Sequence, residues 1–150
     1  MVRRAEVPRE SLLARYIEDP ASHVDAYVTA GEASLADFIS AFFSSPLFRL
    51  ERRILALGGA ASSDPQIALL AAGEGAHMAA WEVVERNAHE LLLTVPNTPI
   101  RTWLAVAPGE LWFGSAIVAS DGQIPIAARA LMPFHALYSR SLLALAARRV

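Results

Sequence analysis

From Met78 onward the apolar residues of this chain change their spacing from every third or fourth position to every second, and after four short runs they change back. No other feature constrains the fold as strongly. A period of two belongs to strands, and a period of about 3.6 to helices with an apolar stripe. The runs are AAWEVVER (79–86), HELLLTV (89–95), IRTWLAV (100–106) and LWFGSAIVA (111–119). Turn residues separate them at Arg86-Asn87-Ala88, at Pro96, Asn97 and Pro99, and at Pro108-Gly109-Glu110, and Ser120-Asp121-Gly122 closes the last. Short turns between alternating runs predict an antiparallel meander. After Pro125 a final helix is expected from about Ala127 to Arg149, striped by Leu131, Phe134, Tyr138, Leu142 and Leu145, with Pro133 marking either its regular start or a kink.

The first half reads as an arm, a strand and helices. Residues 1–21 mix charges with Pro8 and Pro20 and offer a short helical piece around Ser11 to Ile17. A first strand, HVDAYVTAG, puts Val24, Ala26 and Val28 on one face and ends at Gly31. Ser34 opens a helix striped by Leu35, Phe38, Ile39 and Phe42, with Asp37 completing a box-like cap. Pro46 restarts the pattern in a second helix, with Leu47, Leu50, Ile54 and Leu57 on one face, Arg49, Arg52 and Arg53 on another, and a stop at Gly58-Gly59. Asp64 and Pro65 begin two further turns bearing Ile67, Leu70 and Ala71 before Gly73. The expected fold is α+β: an antiparallel sheet of about five strands, two short helices after the first strand, and a long C-terminal helix packed on the sheet. One domain, 22–150, follows the arm 1–21.

Composition narrows the function classes. An apolar content of 54% in 150 residues supplies one ordinary core. With 13 basic and 15 acidic residues the formal charge is -2, which gives no reason to expect nucleic acid as a partner. The chain has no cysteine, so disulfides and thiolate metal sites are excluded and the reducing cytoplasm is the expected compartment. No secretory h-region interrupts the charged N-terminus, and no run reaches the roughly 18 apolar residues of a transmembrane segment. His23, His77, His89 and His135 show no ligand spacing, so no metal is expected. Gly73-Glu74-Gly75 begins like a dinucleotide loop, but Met78 stands at the third glycine position and no strand precedes it. No cofactor is expected.

The order strand, two short helices, antiparallel strands, long terminal helix resembles the helix-grip fold of the START and birch-pollen-allergen-like (SRPBCC) superfamily. The segments SSPLFRLERRILALG, AAWEVVERNAHELLL and FHALYSRSLLALAARR are similar to a bacterial family of unknown function associated with that superfamily. Together these likenesses cover most of residues 22–149. The superfamily usually has six strands between the second and last helices. Here four are counted, plus an extended piece near Gln123 to Ile126, so a smaller or more open sheet is expected. The resemblance implies a pocket between sheet and terminal helix, used across the superfamily for lipids, sterols, polyketides and aromatic ligands and sometimes for cyclase or hydrolase activity. It transfers no catalytic residue.

Several side chains could serve such a pocket. Trp81, Trp103, Trp112, Phe113, Phe134 and Tyr138 offer stiff apolar surface, which an ordinary core also uses. His135 could act as a base or anchor an acidic group, with Ser139 four residues on and within hydrogen-bonding reach on the same helix side; a satisfied surface histidine has the same sequence pattern. This serine occupies no strand-to-helix elbow, so a serine-hydrolase triad is not indicated. Arg101, Arg129 and Arg140 could orient a carboxylate or simply be solvated, as could Arg49, Arg52 and Arg53 beside Glu51. Glu82, Glu85 and Glu90 fall close together on adjacent strands, with pairing to Arg86 or Arg101 as the structural alternative.

The ligand-binding residues expected are therefore Trp81, Trp103, Trp112, Phe134, His135, Tyr138 and Arg101. The leading expectation is a module holding a hydrophobic or amphipathic small molecule between sheet and terminal helix. The rivals are a cyclase- or hydrolase-type enzyme on the same scaffold, and a structural or interaction protein acting as a homodimer.

Overall fold

A computed structural model describes residues 1–57, 62–78, 80–119 and 126–150. The strands are β1 (Arg3–Ala5), β2 (His23–Ala30), β3 (His77–Met78), β4 (Trp81–Arg86), β5 (Glu90–Thr94), β6 (Ile100–Ala107) and β7 (Glu110–Ile117). The helices are α1 (Leu35–Phe43), α2 (Pro46–Leu57), α3 (Asp64–Ala72) and α4 (Ile126–Ala147). All seven strands join one antiparallel sheet in the order β1-β2-β7-β6-β5-β4-β3. The first long strand thus pairs with the last, and α4 packs across β2 and β7 and against α1 and α2. This is a helix-grip arrangement.

Five of these strands are those the alternation predicts. The other two, β1 and β3, have only three and two residues, too few for a period to show. Residues 120–125 lie outside the described residues, and with them both the expected turn at Ser120 and most of the extended piece near Gln123; Ile126 is already helical. Helix α4 is continuous through Pro133.

Both faces of the sheet are covered. On one, Tyr27, Leu91, Leu93, Leu104, Leu111 and Phe113 meet α1 to α4 in the main core. On the other, Ala26, Leu92, Trp103, Ala105 and Ala116 pack with Leu13 of the short 3-10 helix Leu12–Tyr16 and with Val7, Leu12 and Tyr16. The arm is therefore an integral layer over the sheet's outer face. Glu90 fastens it, accepting hydrogen bonds from the Leu12 amide at 2.8 Å and the Trp103 indole at 2.7 Å. Arg15 of the same 3-10 helix pairs with Glu85.

Two helical faces differ from those the leucine spacing suggests. In α2, Leu50 and Leu57 are exposed and Phe48 is buried. Only Ser44 and Ser45 separate α1 from α2, so Phe48 continues the cluster of Phe42 and Phe43, with its ring 4.8 Å from that of Phe43. Aromatic packing has set the helix's rotation. In α4, Phe134 is 71% exposed, while Ser139, Leu142, Leu143 and Ala146 are buried, so the inner stripe is displaced by one position. The N-cap of α3 is Ser63 rather than Asp64, which is already the first helical residue, and the Ser63 amide donates to Gln66 Oε1. Arg52, Ile54, Arg129 and Leu131 lie outside the described side chains, and Gly58-Gly59 outside the described residues.

Candidate functional site: a cavity under the terminal helix

A cavity of about 340 Å³ lies between the inner sheet face and α4. Phe42 and Phe48 bound it from the helices, Trp81, Val95, Thr102 and Phe113 from the sheet, and His135, Tyr138 and Leu142 from α4. Its boundary is predominantly apolar, with Ser115, His135, Thr102 and Tyr138 as local polar points. That composition suits a ligand with an apolar body and few polar groups. The aromatic cluster gives one end stiffness: the Phe42 and Phe113 rings lie 5.0 Å apart, and those of Phe48 and Trp81 lie 5.3 Å apart. The Trp81 indole N–H is buried without an acceptor among the described residues.

Strand parity decides which of the expected residues meet here. Trp81, His135 and Tyr138 line the cavity. Trp103 and Trp112 belong to the outer core, their rings 6.2 Å apart, because they alternate with Leu104 and Phe113, which take the inner face. Phe134 is turned to solvent. Arg101 borders the cavity along the chain, but its guanidinium carbon sits 5.8 Å from the Tyr16 ring, and Nη1 donates to Thr94 Oγ1 and to the Thr98 and Ile100 carbonyls. Its charge is committed to the outer face. The glutamates disperse too: Glu82 pairs with His77, Glu85 with Arg15, and Glu90 with the arm.

The polar corner contains two residues that spacing alone did not select. Asp25 and Ser115 are register partners across β2 and β7, and Ser115 Oγ donates to Asp25 Oδ1 at 2.6 Å. Tyr27 donates its hydroxyl to Asp25 Oδ2 at 3.1 Å. His135 Nε2 lies 2.7 Å from Ser115 Oγ and 3.4 Å from Ser139 Oγ. Burial, reinforced by the Asp25 charge and hydrogen bond, pushes the Tyr27 hydroxyl up to about 12. A sequence signal existed: Asp25 and Ser115 are polar interruptions on strand faces otherwise filled by Tyr27 and Phe113.

Hydrogen-bond arithmetic assigns the histidine's tautomer. A carboxylate only accepts, and a serine hydroxyl has one hydrogen to give. With that hydrogen on Asp25, Ser115 must accept from His135, so Nε2 carries the ring proton. Ser115 is consequently not an activated nucleophile, which would require the imidazole to accept from it. No family model, curated protein or solved structure matches this chain. The likeness to helix-grip binding scaffolds is one of architecture. Among the described residues, no group of three or more His, Asp or Glu side chains could hold a metal ion, and no helix is long and apolar enough to cross a membrane.

Proposed function

We propose that the protein is a small-molecule-binding module that holds a hydrophobic or amphipathic ligand between its sheet and α4. The observation that carries this reading is the cavity of about 340 Å³, which falls at the lower end of the roughly 300–1,000 Å³ range of ligand pockets and combines aromatic walls with one polar corner. Trp81, Tyr138, Phe113 and Leu142 supply apolar contact, and His135 with Ser115 fixes orientation. A space of this size favours a single-ring or short branched compound over a sterol or a long-chain lipid. Native mass spectrometry of protein purified from its own host tests it. A stoichiometric co-purifying compound, lost on denaturation and able to rebind with a change in tryptophan emission, is expected. A homogeneous ligand-free mass, together with a crystal structure in which side chains fill the space, would overturn the reading.

A second reading, self-association, draws on Phe134 and Leu137, which lie three residues apart on α4 and are 71% and 68% exposed. Two such apolar side chains on one helix face suit an isologous contact between two copies. Sedimentation should then give twice 16.2 kDa, with Leu137→Glu returning the monomer. A monomer at high concentration excludes it.

A further inference from the structure

The polar corner has a direction built into it. Asp25 is only 5% exposed, and its carboxylate receives two neutral hydroxyls, from Ser115 and Tyr27, with no ion pair among the described residues. The serine hydrogen points to Asp25 and the Nε2 hydrogen to Ser115, so His135 Nδ1 keeps its lone pair. That nitrogen has no hydrogen-bond partner among the described residues, and His135 lines the cavity. A proton gained at Nδ1 creates an imidazolium whose charge faces the buried carboxylate across a single hydroxyl. The carboxylate then stands behind the ring through Ser115, as a buried acid stands behind a catalytic histidine.

Resting on the binding reading above, we infer that the cavity takes an apolar ligand bearing one weakly acidic hydroxyl, a phenol or an enol, and that His135 accepts its proton. The ligand's O–H bond breaks and leaves its electron pair on oxygen. The imidazole lone pair forms the new Nδ1–H bond. Oxyanion and imidazolium then remain as a contact pair, backed by Asp25 through Ser115.

The surrounding ionisable groups suit an acid that brings its own proton better than a permanent anion. Tyr138 lines the cavity from the same helix, and Tyr27 donates to Asp25 from β2. Arg4 and Arg140 act on the Tyr27 side, and the Arg101 guanidinium is held on the outer face. Arg101 is the one arginine among the lining residues, and its guanidinium is drawn away to the Tyr16 ring and the Thr94, Thr98 and Ile100 oxygens rather than towards a ligand that arrives ionised.

The test compares 4-nitrophenol with nitrobenzene, which shares its ring and nitro group but lacks the acidic hydroxyl. Calorimetry gives affinity, and visible absorbance reports whether the bound phenol is neutral or ionised at a pH where the free compound is largely neutral. The expected result is that the wild-type protein binds 4-nitrophenol as the phenolate and more tightly than nitrobenzene. His135→Gln should abolish the phenolate band and weaken 4-nitrophenol about tenfold to a hundredfold, as loss of a charged hydrogen bond does. Nitrobenzene affinity should fall by a much smaller factor, and an unchanged thermal melt verifies that the variant folds. Ser115→Ala should weaken 4-nitrophenol by a smaller factor. Binding of neutral 4-nitrophenol, or equal affinity in His135→Gln, overturns the proton acceptor and leaves the cavity intact. Failure of both compounds to bind overturns the cavity reading and this inference with it.

Discussion

Asp25 and Ser115 are separated by 90 residues of chain, yet they stand opposite each other in β2 and β7 and share a 2.6 Å hydrogen bond. The bond joins the first long strand to the last at the point where α4 crosses them. Replacing Ser115 with alanine leaves the Asp25 carboxylate with Tyr27 alone, and should cost about 1–3 kcal/mol of stability. It also frees His135 from its imposed tautomer. Nitrogen-15 chemical shifts of the imidazole should show an Nε2–H ring in the wild-type protein below its stability limit and a mixture in Ser115→Ala. A mixture in both proteins would contradict the assigned direction of the chain.

Gly114 makes room for the outer core. A Cβ there would lie 2.5 Å from Leu13 Cδ2, 2.9 Å from Trp103 Cε3 and 3.0 Å from the Asp25 carbonyl oxygen. Two of these neighbours are an indole ring and a backbone atom, so they yield little. Gly114→Ala should therefore lose about 1–3 kcal/mol in urea unfolding, as overpacked cores do. Combining it with Leu13→Ala should cost less than the sum of the two single changes.

Glu90 holds the arm through two bonds to one carboxylate oxygen. Glu90→Ala strips the buried Trp103 indole and the Leu12 amide of their acceptor, at a cost of about 1–3 kcal/mol. Limited proteolysis should then cut within residues 1–21 well before the rest of the chain. Equal cleavage of variant and wild type would show that the apolar contacts of Leu13 suffice.

Tyr27 links stability to alkaline pH. Its hydroxyl is raised from the ordinary 10 to about 12 in the folded protein, chiefly by burial, so the native state keeps a proton that the unfolded chain has released. The stabilisation is complete below pH 10 and is lost as pH rises through about 12. Thermal melting in that window should fall more steeply for wild type than for Tyr27→Phe. Parallel curves would refute the linkage.

Arg86 closes the far end of the sheet against a helix. Its guanidinium donates to the Leu70 and Ala71 carbonyls at the end of α3, and burial lowers its pKa from the ordinary value. A register irregularity between Val83 and Glu85 turns Glu85 towards Arg15 and Arg86 towards α3, which uninterrupted alternation from Val83 would not do. Arg86→Met should destabilise by about 1–3 kcal/mol and raise amide exchange in α3 ahead of the sheet. Uniform exchange across both would count against this tie.

Periodicity revealed β2, β4 to β7 and the helices because each carries enough residues to display its repeat. It also placed Ser139 one turn from His135, where the structure has it. Alternation states which residues share a face but not which face meets the helices. When both faces are apolar, as around Trp103 and Leu104, the choice is made by distant chain such as Leu13. The Asp25–Ser115 pairing depends on strand order between the ends of the sheet, which no local window contains. Leucine spacing misplaced the α2 face for a related reason: Phe48 answers to Phe42 and Phe43 of α1, across the link at Ser44 and Ser45, not to its own helical neighbours.

A ribbon insulated on both sides separates two tasks, enclosing a cavity and holding the chain's first layer in place. Thr102 and Trp103 are consecutive, but the first borders the cavity and the second helps anchor the N-terminal layer. The shape of the cavity can accordingly be altered at alternate positions of β6 and β7 while the foundation beneath them keeps its original packing.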